Sequence, residues 1–221
     1  MTQTSVPQNS RPQGHVVRDR VRAVTSELSH RGSRETNDAM NYPPSHYLVI
    51  DLEATCDDQG AVPRHEMETI EIGAVLCDPK TLVPIDEFQT FIRPVRHPQL
   101  TEFCTELTSI TQSMVDDAPG FAEAIDALRR FMDRRPVLFC SWGAYDKRQL
   151  QQDADFHGLR LPLGSRHLNL KQAFSDALGK KKRFGMSRAL KMMDIELEGT
   201  HHRGIDDARN IAKLLPRCLR R

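Results

Sequence analysis

From residue 47 onward, apolar and polar positions alternate with periods that can be assigned. Tyr47-Leu48-Val49-Ile50 is an apolar, β-type run leading into Asp51-Leu52-Glu53, so a first strand is predicted over 47–52. Residues 56–67 carry Gly, Pro and several charges and read as a loop. A second strand is predicted over 68–77, where Ile70, Ile72, Ala74 and Leu76 alternate with Glu71, Gly73 and Val75. The turn Asp78-Pro79-Lys80 leads to a third strand over 82–92, making 68–92 a hairpin that Pro94 and Pro98 stop. Short helices are expected over 100–107 and 111–115. A longer helix is expected over 119–134, with Pro119 in its first turn and Phe121, Ile125, Leu128 and Met132 on its apolar face. The apolar run 136–142 predicts a buried fourth strand, followed by a helix over 144–156. A short fifth strand over 167–170 precedes helices over 171–178, 187–193 and 205–219. Hairpin-linked strands followed by alternating strands and helices imply an α/β domain, a mixed five-stranded sheet with helices on its faces.

Residues 1–45 are rich in Gln, Ser, Arg, Asn and Pro, and are expected to form a mostly disordered tail before a domain spanning 46–221. Within the tail, Val17, Val21, Val24 and Leu28 fall at 4-3-4 spacing, the stripe of a short helix. Pro43-Pro44 separates tail from domain. The chain of 221 residues, 38% hydrophobic, holds one large domain plus such an appendage. A formal net charge of +1 gives no global attraction to nucleic acid, so any basic surface is local. Five widely spaced cysteines without a C-x-x-C fit reduced thiols in a cytoplasmic protein, not a disulfide framework or a zinc site. No apolar run approaches the roughly 20 residues that span a bilayer, and the N-terminus lacks the apolar core of a signal peptide, so no membrane association is expected.

Candidate chemistry starts at the end of the first strand. Strand positions two apart share a face, so Asp51 and Glu53 point the same way. Carboxylates side by side repel, and a cation is the usual compensation; the plain alternative is a strand running into an acidic, solvated turn. Asp146 follows the fourth strand at a helix start. Asp207 lies in the first turn of the last helix beside Asp206, after His201-His202-Arg203-Gly204. Singly, each acid also suits a helix N-terminus, and each histidine a loop surface. Together, four carboxylates and one imidazole match hard cations such as magnesium or manganese better than zinc. Two such ions stabilise the attacking and leaving oxygens of a phosphoryl displacement, and a histidine can take the proton of the attacking water.

The pattern Asp51-x-Glu53, Asp146 and His202-x4-Asp207 resembles the three exonuclease motifs of the DEDD superfamily in its histidine variant. IDLEATC (50–56), FIRP (91–94), LTSITQSMVDDAP (107–119), Ser141-Trp142 and HHRGIDDARNIA (201–212) are similar to the subfamily of the histone-mRNA 3′-end exonuclease and enhancer-of-RNA-interference nuclease. The resemblance covers about 46–219. It implies an RNase H-like fold and 3′→5′ exonuclease activity releasing nucleoside 5′-monophosphates from RNA 3′ ends, with two Mg2+ ions for which Mn2+ can substitute. It further implies that Asp51 bridges both ions, that Glu53 and Asp207 hold the water-activating one, and that Asp146 completes the site near the second. His202 is then the general base, preferred over His201 by its spacing to Asp207. Ala54 and Thr55 would meet the terminal nucleotide through backbone, Leu107 and Ile110 would pack on a base or sugar, and Trp142 and Tyr145 would line the pocket. For Leu107, Ile110 and Trp142 ordinary core packing is the alternative. The wider superfamily usually has Asn where Trp142 stands, whereas this subfamily commonly replaces it. The short tail cannot hold the SAP domain of the eukaryotic members, so their stem-loop specificity does not carry over. Lys180 to Arg183, with Arg188 and Lys191, is a candidate phosphate-contacting run, or else a solvated loop. Two competing readings stand beside the exoribonuclease: a DNA-directed 3′→5′ exonuclease, and a noncatalytic nucleic-acid-binding regulatory module on the same fold.

Overall fold

The computed structural model describes residues 45–219; the tail, its Val17–Leu28 stripe and the Pro43-Pro44 boundary lie outside them. Five strands, β1 (His46–Ala54), β2 (Thr69–Cys77), β3 (Pro84–Phe91), β4 (Val137–Ser141) and β5 (His167–Asn169), form one sheet in the order β3-β2-β1-β4-β5. β1 runs antiparallel to β2 and parallel to β4, so the sheet is mixed, and β1 is its central strand. Seven helices follow the expected order: α1 (Glu102–Thr108), α2 (Gln112–Asp116), α3 (Phe121–Met132), α4 (Tyr145–Phe156), α5 (Leu170–Ala177), α6 (Met186–Met192) and α7 (Gly204–Leu219).

Strand parity sorts the core into two layers. Leu48, Ile50, Leu52, Ile72, Ala74 and Leu76 pack under α3 and α4. Tyr47, Val49, Val75 and Cys77 pack on the other face, beneath α5, α6 and α7. Burying Leu48 and Ile50 completely is worth about 1.5–3 kcal/mol each, so a one-residue slip of β1 is strongly disfavoured.

Boundaries shift by one or two residues at several elements, and two of these shifts matter most. β1 continues to Ala54, so Glu53 lies within the strand rather than beyond it, as Asp51 does. Helix α3 begins at Phe121, after Pro119; the Glu123 carboxylate accepts the Gly120 N–H at 2.9 Å and caps the start. The alternation along β2 suggests one wet face, yet all nine residues are buried. The reason is close contact with α7. A Cβ on Gly73 would run into the carbonyl carbon of Gly204, so only glycine lets the start of α7 rest on the strand.

Candidate active site

Parity on β1 decides where the acids go. With Leu48, Ile50 and Leu52 turned toward α3 and α4, the odd positions Asp51 and Glu53 share the α7 face with Val49. Asp207 enters from the first turn of α7. The carboxylates of Asp51, Glu53 and Asp207 each offer an oxygen, and these oxygens lie within 4.8 Å of one another.

Asp146 arrives differently. β4 pairs with β1 only along 46–49, leaving the Leu52 N–H without a ladder partner on that side. Asp146, buried in the first turn of α4, accepts that N–H through Oδ1 at 3.2 Å. It therefore shares a cleft of about 340 Å³ with the three clustered acids but stands outside their tight group.

All four carboxyls are held above their ordinary range, each chiefly by burial. Asp51 is raised further by Asp146, Glu53 and Asp207. Glu53 is pushed up to about 8, with Asp207 the next contributor, and Asp146 to about 6. Asp207 is raised less freely, because His201 opposes the effect. The cause is negative charge out of water without a matching cation. Converging hard oxygen donors in this state fit magnesium or manganese; such a cation would reverse the shifts.

The histidine loop is held by Asp207. The Asp207 Oδ2 accepts the His202 N–H at 3.1 Å and lies 2.9 Å from His201 Nδ1. His202 adopts a left-handed backbone, φ 64°, a conformation uncommon for a non-glycine residue. The two imidazoles stack with centroids 4.0 Å apart. Burial and the neighbouring His201 keep the His202 imidazole below its usual pKa, with Asp207 pulling the other way. His202, Asp207 and His201 also group their donor atoms within 4.8 Å. Asp206 is turned elsewhere: it accepts the Thr200 N–H at 2.9 Å and pairs with Arg209.

Trp142 and Tyr145 line the same cleft, and the Trp142 indole N–H donates to the Phe184 carbonyl at 3.0 Å. Four residues from the sequence reading lie outside its lining. Ala54 and Thr55 are buried at the end of β1, where the Thr55 Oγ1 accepts the Glu68 N–H at 2.9 Å. Leu107 is 37% exposed on α1. Ile110 is fully buried with Ile70, Cys104 and Val115, the position of an ordinary core residue. In the basic run, Arg183 braces its own loop by donating to Gln172, Lys180 and Lys181, whereas Lys180, Lys181 and Lys182 are exposed.

Two residues escaped the sequence reading. Glu71, directly opposite Glu53 in the β1–β2 register, is wholly buried. Its carboxylate accepts the Gly204 N–H at 3.0 Å, the Arg203 Nε–H at 3.2 Å and a Gln89 amide N–H at 2.6 Å. It thus ties the start of α7 to β2. Its only sequence signal was an acid at a strand position that alternation reads as solvated. Lys171, in the first turn of α5, lines the cleft, and nothing in the local sequence pattern marks it.

Comparison with known proteins points one way. The sequence model of the exonuclease family RNase_T matches residues 48–215. ERI1 exoribonuclease 3 of Bos taurus is 34% identical over 188 residues, covering 80% of this chain and 55% of that protein. The probable 3′-5′ exonuclease KapD of Bacillus subtilis is 29% identical over 168 residues, covering 76% of this chain and 81% of that protein. The chain thus spans little more than half the length of its ERI1 exoribonuclease 3 relatives. Among solved structures, the nuclease domain of 3′hExo, a DEDDh family member bound to rAMP, superposes with a TM-score of 0.70 at 28% identity, covering 80% of this chain and 92% of that one. A 3′-exonuclease recognising the histone mRNA stem-loop gives a TM-score of 0.74 at 28% identity, over 84% and 66% of the two chains. The five-stranded mixed sheet with helices on both faces is the RNase H-like fold of these neighbours.

Proposed function

The chain belongs to the RNase_T exonuclease family, and from that premise we propose that it is a magnesium-dependent 3′→5′ exoribonuclease, releasing nucleoside 5′-monophosphates from RNA 3′ ends. The observation that carries this reading is the convergence of Asp51, Glu53 and Asp207 within 4.8 Å beside His202. We assign residues 46–221 as the exonuclease domain and the cytoplasm as its compartment. Among the described residues no helix is long and apolar enough to cross a membrane.

In this mechanism Asp51, Glu53 and Asp207 would hold divalent cations, and Asp146, the acid whose charge weighs most on Asp51, would complete the site. Two bound Mg2+ ions, or Mn2+ in their place, supply Lewis-acid stabilisation of the attacking and leaving oxygens. His202 accepts the proton of the attacking water through its imidazole, which burial keeps neutral and ready as a base. Asp207 orients the His202 backbone through its N–H, so one carboxylate serves both the cation and the base. Trp142 and Tyr145 enclose the terminal nucleotide, the Ala54–Thr55 backbone abuts it, and Leu107 packs on its base or sugar, whereas Ile110 belongs to the core. Base stacking tolerates any sequence, which suits a trimming enzyme.

RNA is preferred to DNA on the relatives' names, ERI1 exoribonuclease 3 among them. The test uses 5′-labelled single-stranded RNA and DNA of one sequence with purified protein and Mg2+, and an EDTA control. A ladder shortening from the 3′ end of RNA, absent with EDTA, is the expected result. Equal or faster cutting of DNA would replace the RNA assignment, and binding without cutting would favour the noncatalytic module.

A further inference from the structure

The cleft that holds four carboxylates must also admit a polyanion, and this sets an electrostatic problem. Among the described residues lining it, Lys171 is the only lysine or arginine. Its backbone is firmly set. Asn169 caps α5 by accepting the Gln172 N–H at 3.0 Å, and the flanking Leu170 and Phe174 are fully buried in the core. The side chain itself is half-buried and takes part in none of the ion pairs among the described residues.

Two structural reasons for a lysine here fail. A cation in the first turn of a helix opposes the macrodipole, so Lys171 is not there to stabilise α5. Nor does it neutralise the acids: no site carboxylate lies within ion-pairing distance of it, and all four carboxyls remain raised. What remains is a flexible ammonium with three donors at the wall of an otherwise anionic cleft, free to meet an incoming anion.

Resting on the exonuclease reading, we propose that Lys171 is a substrate-binding residue whose ammonium contacts a backbone phosphate of the strand, other than the scissile phosphate at the carboxylate cluster. The juxtaposition divides the labour. The carboxylates and their cations act on one phosphate, and Lys171 offsets the repulsion felt by a neighbouring one. The contact reads charge and not base identity.

The test compares wild type, Lys171→Gln and Lys171→Arg on 5′-labelled single-stranded RNA, with Tm as the check on folding. Lys171→Gln is expected to raise KM about tenfold, the scale of one lost charge-assisted hydrogen bond, with the loss falling on KM rather than kcat. The dependence of log KM on log salt should become shallower by about 0.7, one phosphate on a single strand. Lys171→Arg should restore most of the affinity. Substrates carrying a single uncharged methylphosphonate locate the contact: at one internal linkage the modification and Lys171→Gln should be non-additive, and additive elsewhere. Anisotropy of labelled RNA with Asp51→Asn protein, with and without Lys171→Gln, repeats the comparison without turnover. An unchanged KM and salt slope, a shift of the Mg2+ midpoint in place of KM, or additivity at every linkage would overturn the proposal. If wild type fails to cut RNA while the Asp51→Asn pair still differs in binding, the exonuclease reading fails and the phosphate contact survives.

Discussion

At Asp51 a strand position and a buried negative charge coincide, and the two have opposite consequences for the protein. In the proposed mechanism the carboxylate is a cation ligand that hydrolysis requires; as one of several crowded acids it destabilises the metal-free fold. Asp51→Asn is therefore expected to lower the rate of 3′-nucleotide release by more than the ~10–100-fold that outer partners of a metal cost. Its Tm in EDTA should be unchanged or higher. Retention of the wild-type rate would refute the metal mechanism. His202 carries a separate expectation. Since its imidazole sits below the usual pKa, the neutral base predominates at neutral pH and is lost only on acidification. Replacing it by Ala should reduce kcat by roughly 10²–10⁴, and the acid-side fall of the kcat–pH profile that His202 contributes should vanish with it. His201, which pairs with Asp207, should cost less when replaced.

The junction between β2 and α7 shows how elements aim these residues. Glu71 holds Arg203 and the Gly204 N–H, and Gly73 leaves room for the same turn. Both lie beneath the loop that carries His202 and leads to Asp207. Glu71→Ala leaves Arg203 beside a buried void and the Gly204 N–H without its acceptor. By analogy with breaking a buried ion pair, a loss of about 3–5 kcal/mol is expected from denaturant unfolding. Glu71→Gln keeps an acceptor and should lose less. Gly73→Ala forces a methyl into the Gly204 carbonyl carbon. The cost should reach at least the upper end of the ~1–3 kcal/mol typical of overpacking, because backbone and not a flexible side chain must move.

For the molecule as a whole, the crowded acids make stability depend on pH in an unusual direction. Glu53 has a folded pKa of about 8 against an ordinary 4.5, so the folded state binds the proton more tightly. Its contribution to stability is fully present below about pH 4.5 and is lost as pH rises through about 8. In EDTA, Tm should therefore fall between pH 5 and 8 as far as this site governs it. Added Mg2+ should raise Tm more at pH 8 than at pH 5, because the cation binds the ionised carboxylates. A metal-induced rise in Tm independent of pH would argue against these acids as the ligands.

Much of the architecture was legible in the chain, because period-2 and period-3.6 patterns record burial directly: every strand and helix expected from 47 to 219 is present within a few residues. The candidate ligands were legible too, since Asp51 and Glu53 lie two apart on a strand, and Asp207 stands beside a histidine loop at a helix start. The pattern could not report which neighbour covers β2, because alternation records polarity and Glu71 is polar yet buried by α7. Local sequence likewise separates Asp206 from Asp207 only by spacing, whereas the fold sends one to Thr200 and Arg209 and the other to the cleft. Ile110 and Leu107 look alike as apolar residues three apart; packing makes the first core and leaves the second partly exposed. The sequence by itself determined the element order, the two-layered core and the acid-and-histidine inventory, all of which follow from local periodicity and residue chemistry. Only the tertiary structure decided that Glu71 anchors the histidine loop and that Lys171 lines the same cleft as the carboxylates, because both depend on elements far apart in the chain.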